Sequence, residues 1–225
     1  MSLLDELRGG LIVSVQAWPG SALDDAAVIA AMARAAQDGG AVGVRVAGAE
    51  HLRAVRHRVQ VPIVALIKRQ YPGFEPYITP TLHEVAQCTQ SGAEIVAFDA
   101  TARARPGGVT TAELVAAVRG RGCLAMADCA TAEEGTAAVA AGADIVATTL
   151  CGYTRQTTGR ALPACDVVAQ LRETGSFVVC EGGIRTPTHV AAAFDAGADA
   201  VVVGTAITNV DWLVREFAGA ARKGS

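Results

Sequence analysis

The sequence predicts an α/β protein in which eight parallel strands, each followed by a helix, close into a (β/α)8 barrel. Short apolar runs alternate with alanine-rich helical segments along the chain, and a Gly-Ala pair recurs at nearly even intervals. The chain has 225 residues, and such barrels commonly have about 200 to 250 residues. We therefore expect residues 1–225 to form a single domain.

Eight apolar runs are the predicted strands, and they are apolar on both faces, as parallel strands covered by helices must be. In chain order they are LIVSVQ (11–16), AVGVRV (41–46), PIVALIK (62–68), EIVAFDA (94–100), CLAMAD (123–128), DIVATTL (144–150), SFVVCEG (176–182) and AVVVGTA (200–206). The clearest predicted helices between them are residues 26–38, 110–121, 131–141, 165–174, 186–196 and 210–221. Pro187 lies in the first turn of one of these helices, where a proline sacrifices no hydrogen bond.

The Gly-Ala pairs begin at Gly40, Gly92, Gly142 and Gly197. Each pair ends a helical segment and leads into a strand, and glycine suits the left-handed residue that follows a helix. The pairs are roughly 50 residues apart, so each interval holds two strand–helix units. A doubly wound open sheet is the alternative, but it usually has fewer strands and a glycine fingerprint after its first strand.

The charge balance and residue usage exclude several classes of function. Nineteen Lys and Arg against 22 Asp and Glu give a net charge of -3, which disfavours nucleic acid and anionic membranes as partners. No basic leader or long apolar run is present, so we expect a cytoplasmic protein. The six cysteines form no Cys-x-x-Cys pair and the four histidines lie away from strand ends, so we expect no disulfide and no metal. No nucleotide-binding glycine motif occurs, and we expect no cofactor.

Polar residues collect at the carboxyl ends of the predicted strands, where the active site of a barrel forms. They belong to six different runs and are Gln16, Arg45, Lys68, Asp99, Asp128 and Glu181. Any one of them alone could cap a helix or pair with an arginine, and we favour that interpretation for Asp99. Together they predict a polar site at one end of the barrel.

Lys68 is notable because the chain contains only two lysines, Lys68 and Lys223. Arginine stays protonated, whereas a lysine with a lowered pKa can act as a base. Lys68 and Glu181 follow the third and seventh strands, so they could remove a proton from one side of a carbon and return it on the other. Burial, together with Arg45 or Arg69, would lower the pKa of Lys68. A structural salt bridge between Lys68 and Glu181 is the alternative.

The loops after the seventh and eighth strands are rich in glycine. They contain Gly182, Gly183, Gly204 and Thr205. Barrels often bind phosphate with these two loops, because glycines let backbone N–H groups approach the anion. We therefore predict a phosphate site here, although glycines could also serve turn geometry alone.

Six segments of the chain are distinctive, and they read GLIVSVQAWPG, VALIKRQYPGFEPYITPT, AFDATARARP, LAMADCATAEEG, TTLCGYT and EGGIRTP. They resemble one family of bacterial enzymes, the N-acetylmannosamine-6-phosphate 2-epimerases. The resemblance implies a cofactor-independent barrel isomerase that interconverts N-acetylmannosamine 6-phosphate and N-acetylglucosamine 6-phosphate at C2, in sialic-acid and amino-sugar catabolism. It also implies that Lys68 and Glu181 are catalytic and that Gln16, Arg45 and Asp128 hold the sugar.

Two motifs depart from the family pattern. The family commonly has EGRINTP where this chain has EGGIRTP (181–187), and GGAITRP where it has GTAITNV (204–210). These changes alter the arginines near the predicted phosphate site, and we expect Arg185 to compensate as a substrate-binding residue.

Two other functions stay open at this point. The barrel could act on a different sugar phosphate, or it could be a phosphosugar sensor without catalysis. Strand ends without histidines disfavour a metal-dependent pentose-phosphate epimerase. The last predicted helix carries Trp212, Val214 and Phe217, an apolar face through which the chain could form a homo-oligomer.

Overall fold

The computed structural model describes residues 2–221 and contains a closed barrel of eight parallel strands. The strands are β1 Leu11–Val15, β2 Gly43–Ala47, β3 Ile63–Leu66, β4 Ile95–Asp99, β5 Leu124–Asp128, β6 Ile145–Ala147, β7 Phe177–Glu181 and β8 Ala200–Val203. Each strand pairs with the next, and β8 pairs with β1. The predicted fold class is therefore confirmed, while Lys223 lies outside the described residues.

The helices surround the barrel. They are α1 Leu3–Leu7, α2 Ala26–Asp38, α3 Ala49–Arg56, α4 Leu82–Gln90, α5 Thr111–Arg119, α6 Ala132–Ala140, α7 Cys165–Arg172, α8 Pro187–Asp195, α9 Thr205–Thr208 and α10 Val210–Ala221. The six helices predicted most clearly are present to within two residues at each end. Pro187 is the first residue of α8, and the hydroxyl of Thr186 caps that helix by accepting from the N–H of His189.

Several strands end earlier than predicted, and the residues beyond them line the mouth of the barrel instead. β6 ends at Ala147 because the hydroxyl of Thr148 binds both the backbone N–H and the carbonyl of Glu181, at 3.0 and 2.9 Å. β8 ends at Val203 because Gly204 opens the turn of α9, where its carbonyl accepts from Ile207. The first termination depends on a tertiary contact and the second on a local turn, and the apolar runs reveal neither.

The four repeated glycines have the backbone that their position predicts. Gly40, Gly92, Gly142 and Gly197 each stand one residue beyond a helix C-cap, with φ of 96°, 88°, 94° and 100°. This left-handed conformation is strained for residues with a Cβ. At Gly197 a Cβ would also lie 2.5 Å from Cδ of Arg172, so glycine is required there on two grounds.

The strand register determines which side chains fill the barrel. Inward positions recur at every second residue, and the buried interior cluster contains Ile12, Val64, Ile95, Met126, Ile145, Phe177, Val179 and Val202. The other face of each strand packs against the helices in a second cluster. The barrel is therefore a filled core, and the inward positions nearest the carboxyl ends form the floor and walls of its mouth.

The remaining features of residues 2–221 bear on the other predictions. Five of the six cysteines are buried, Cys165 is partly buried, and all six are free thiols. No helix within this range is long and apolar enough to cross a membrane. On α10, Val214 and Phe217 are exposed whereas Trp212 is partly buried, and self-association through this helix stays a prediction.

Candidate active site

The register brings the predicted polar residues to one end of the barrel. Gln16, Lys68, Asp99, Asp128 and Glu181 continue the inward alternation of their strands toward the carboxyl ends. Arg45 is also an inward residue but lies deeper in the barrel than Gln16 and Lys68, opposite Ser14 of β1 and Val64 of β3. Parallel strands in a closed barrel all end at the same rim, so these side chains share one mouth.

Arg45 is the centre of a buried charge cluster. Its side chain is only 2% exposed, and its Nη1 and Nη2 bind the two carboxylate oxygens of Asp128 at 3.1 and 2.6 Å. Nη1 also lies 3.0 Å from Oε2 of Glu181. Burial by itself lowers the pKa of Arg45, but the two carboxylates outweigh it and raise that pKa above its ordinary value. The cluster thus joins β2 to β5 and β7.

Glu181 has the most unusual acidity in the mouth. Burial, reinforced by the negative charge of Asp128, raises its pKa to about 7, while Arg45 and the hydroxyl of Thr149 partly oppose the shift. A carboxyl group that titrates near neutrality can both give and accept a proton under physiological conditions.

Two threonines that were not among the predicted site residues position Glu181. Oγ1 of Thr149 lies 2.7 Å from Oδ1 of Asp128 and 3.1 Å from Oε2 of Glu181. Thr148 clamps the backbone of Glu181 from below. Thr149 continues the inward alternation of Ile145 and Ala147, so strand periodicity was the signal that could have identified it.

Lys68 occupies the mouth on the β3 side. Its side chain reaches solvent, yet the surrounding protein partly desolvates it and lowers its pKa, and the positive charge of Arg45 lowers that pKa further while Glu181 opposes the shift. Within residues 2–221 no salt bridge joins Lys68 to Glu181, because Glu181 pairs with Arg45. Arg69, which we expected near Lys68, instead faces the buried carboxylate of Glu84 at 3.5 Å.

Gln16 and Asp99 differ in whether their side-chain oxygens have hydrogen-bond partners. Nε2 of Gln16 donates to the hydroxyl of Ser14 at 2.7 Å, whereas its Oε1 is buried without a partner among the described residues. Asp99 accepts from the backbone and hydroxyl of Thr101 and pairs with Arg103 at 2.7 Å. The predicted pairing of Asp99 with an arginine is confirmed.

The two glycines after β7 have a backbone conformation that disfavours any side chain. Gly182 and Gly183 have φ of 105° and 69°, and a Cβ on Gly183 would lie 2.2 Å from Cβ of Leu162. The backbone N–H groups of Gly182, Gly183, Gly204 and Thr205 donate to no group within residues 2–221. Four main-chain donors are therefore available between the loops after β7 and β8.

Arg185 links the same two loops. Its guanidinium stacks on the indole of Trp212 with 5.5 Å between Cζ and the ring centroid, so it reaches from the β7 loop to α10. Asn209, which stands where the family commonly has an arginine, is buried, and its Oδ1 caps α10 by accepting from the N–H of Trp212 at 2.9 Å. Arg185 is the only Lys or Arg between residues 182 and 209.

Sequence comparison identifies the family. The model described as "Putative N-acetylmannosamine-6-phosphate epimerase" matches residues 29–223. The chain belongs to this epimerase family. Relatives described in the same terms, as 2-epimerases, include a Yersinia pseudotuberculosis protein that is 43% identical over 99% of this chain and 94% of its own length. A second, from Caldanaerobacter subterraneus, is 42% identical over 96% of this chain and 93% of its own.

A solved structure in the epimerase family superposes closely on this barrel. It is the N-acetylmannosamine-6-phosphate 2-epimerase from Clostridium perfringens, with a TM-score of 0.94, 38% identity, and coverage of 98% of this chain and 96% of that one. Within residues 2–221 of this member, no group of three or more His, Cys, Asp and Glu side chains is placed to hold a metal ion.

Proposed function

We propose that this chain interconverts N-acetylmannosamine 6-phosphate and N-acetylglucosamine 6-phosphate by removing and returning the proton on C2. One observation supports this most: Lys68, just beyond β3, and Glu181, the last residue of β7, lie in one mouth with a lowered and a raised pKa respectively. Both shifts bring the pKa values closer to neutral pH, where a proton acceptor and a proton donor are most effective.

The proposed chemistry needs only these two groups and an open-chain sugar. The C2 hydrogen is acidic because it lies next to the aldehyde, so neutral Lys68 can take it and leave an enolate. Protonated Glu181 then returns a proton to the opposite face of C2. The reverse reaction uses the ionised carboxylate as base and the ammonium as acid, which restores the starting charges.

We propose that Arg45 and Asp128 serve the sugar site mainly through Glu181. Both are almost fully buried, at 1% and 0% exposure, and their bonds to one another fix the guanidinium that holds the glutamate. Gln16 faces the same space with a buried Oε1 that has no partner in the part of the chain that the structure describes. We assign this oxygen to an N–H or hydroxyl of the sugar, because an unpaired buried acceptor is costly unless a ligand satisfies it.

We place the 6-phosphate between the loops after β7 and β8. The free N–H groups of Gly182, Gly183, Gly204 and Thr205 support this assignment, since such groups bind phosphate oxygens in many barrels. Arg185 adds a positive charge at the edge of these loops, and its stacking on Trp212 limits the entropy lost when it binds an anion.

Turnover in deuterated water tests the reaction. We expect the purified protein to convert N-acetylmannosamine 6-phosphate to its C2 epimer with deuterium incorporated at C2, as NMR spectroscopy would detect. Unphosphorylated N-acetylmannosamine should react far more slowly, because it cannot engage the phosphate loops. Full retention of the C2 hydrogen would exclude proton exchange with the side chains. Thermal stabilisation by the sugar phosphate without any turnover would instead indicate a sensor, and strong turnover of a pentose phosphate alone would indicate another substrate.

The pH dependence of kcat/KM should be bell-shaped. Glu181 takes up a proton as the pH falls through about 7, so the pair loses its ionised carboxylate as a base and the rate falls. At alkaline pH Lys68 loses its proton below the ordinary lysine value of 10.5, so neither group can donate. The acid limb could also arise from the substrate phosphate, whose second pKa is about 6. The Glu181→Gln variant distinguishes the two sources, because glutamine does not titrate. An acid limb unchanged in that variant would contradict the assignment.

A further inference from the structure

Arg103 lies at the mouth but has no part in the chemistry described above. Its Nη2 binds Oδ2 of Asp99 at 2.7 Å, its Nε binds the hydroxyl of Thr101 at 2.9 Å, and its Nη1 lies 3.4 Å from Oε2 of Glu75. Its side chain is 23% exposed. Three separate residues therefore fix a guanidinium that still reaches solvent.

The strand register places this guanidinium beside the charge cluster of the active site. Asp99 is an inward residue of β4 and stands directly opposite Asp128 of β5. The charges of both ion pairs influence the acidity of Tyr77. Burial is the main cause of its raised pKa, Asp128 and Asp99 raise it further, and Arg45 and Arg103 lower it. The pKa of this hydroxyl therefore depends on both ion pairs.

Arg103 has unused N–H donors on a side chain that reaches solvent, whereas the unused donors of Arg45 are buried. A guanidinium has five N–H groups, and the three contacts of Arg103 use one on each nitrogen, which leaves one on Nη1 and one on Nη2. Arg45 instead directs Nη1 at two carboxylates and Nη2 at a third oxygen, and its Nε is buried without a partner among the described residues. Arg103 is therefore better able to bind a substrate oxygen.

The positions of the strands indicate which oxygen this is. β4 lies across the eight-stranded barrel from β8, and the proposed phosphate loops follow β7 and β8. A sugar anchored there by its 6-phosphate extends C1 and C2 toward β3 and β4, where Lys68 addresses C2. In that arrangement the β4 loop that carries Arg103 lies beside the strand that leads to Lys68.

We propose that Arg103 binds the carbonyl oxygen of the 2-acetamido group and so selects N-acetylated sugars over sugars with a hydroxyl at C2. This assignment rests on the proposed function of the site. Adjacent N–H groups on Nη1 and Nη2 suit a single carbonyl oxygen, and Asp99 and Thr101 hold the fork in place before the sugar arrives.

Binding of two unreactive open-chain ligands tests the assignment without catalysis. They are 2-acetamido-2-deoxyglucitol 6-phosphate and glucitol 6-phosphate, which share the phosphate and differ at C2. Titration calorimetry should show that Arg103→Gln weakens the acetamido ligand roughly 10- to 100-fold, the range expected for lost hydrogen bonds from a charged group. Affinity for glucitol 6-phosphate should not change. Arg103→Lys keeps the charge without the fork, so it should also lose discrimination between the two ligands.

Arg155→Gln is the matched control. Arg155 is 93% exposed and contacts the other oxygen of Glu75 at 3.2 Å, so its loss removes a neighbouring ion pair of Glu75 while Arg103 keeps its bonds to Asp99 and Thr101. Equal weakening of both ligands by Arg103→Gln would make Arg103 a structural support of the mouth and overturn the assignment. If Arg103→Gln stayed active and bound both ligands as the wild-type protein does, only this assignment would be wrong. If the wild-type protein neither bound the two ligands nor turned over the sugar phosphate, the proposed function would be wrong as well.

Discussion

Replacing Lys68 with alanine should lower kcat by roughly 10²- to 10⁴-fold, because general acid–base catalysis contributes on that scale. The fold should survive, since the side chain reaches solvent at the mouth and lies outside the two apolar clusters of the core. Steady-state kinetics on N-acetylmannosamine 6-phosphate and a thermal unfolding curve would measure the two effects separately.

The Lys68→Arg variant distinguishes a catalytic base from an anion-binding residue. Arginine keeps the positive charge and similar reach but stays protonated, so it can hold an anion yet cannot abstract the C2 proton. We expect it to be almost as inactive as the alanine variant. If arginine restored near-wild-type turnover and alanine mainly raised KM, Lys68 would be an anion-binding residue and its catalytic assignment would be wrong.

Replacing Arg45 with methionine should reduce the free energy of unfolding by about 3 to 5 kcal/mol, the usual result of removing one partner from a buried ion pair. The carboxylate of Asp128 is fully buried and would lose its counter-charge, and Glu181 would lose the contact that holds it. Turnover should fall as well. Urea-induced unfolding of the purified variants would provide the energies.

Two further variants test this explanation. Arg45→Met combined with Asp128→Leu removes the orphaned charge, so it should be more stable than the single variant. Arg34→Met is the exposed control, because Arg34 and Asp38 form an ion pair in which both side chains are more than half exposed, and such pairs contribute at most about 1 kcal/mol. If the Arg45 variant lost no more stability than this control, the buried cluster would not be an important source of stability.

The sequence was sufficient to predict the barrel because its signals are local. Apolar runs, helix composition and the glycine after each second helix all depend on a few neighbouring residues, and the left-handed φ at Gly92 and Gly142 follows from position alone. The strand-end rule likewise selected Lys68 and Glu181 before any contact was known.

What the sequence did not predict depends on contacts across the barrel. Arg45 could have faced Lys68 or another carboxylate, and only the strand register brings it to Asp128 and Glu181. Thr149 lay inside a predicted strand, so its hydroxyl was not counted among the strand-end groups. Arg69 adjoins Lys68 in sequence, yet its side chain turns to Glu84, because successive residues of an extended chain point to opposite sides.

The buried free cysteines make it possible to measure how often parts of the protein open. Burial raises the pKa of Cys88 and Cys180 to about 12 and that of Cys151 to about 11, so at neutral pH these thiols are neither ionised nor accessible. An alkylating reagent can therefore label them only when a segment of the barrel transiently opens. They lie on α4, on β7 and in the loop after β6. Their individual labelling rates would therefore show how often each of these three parts of the barrel opens.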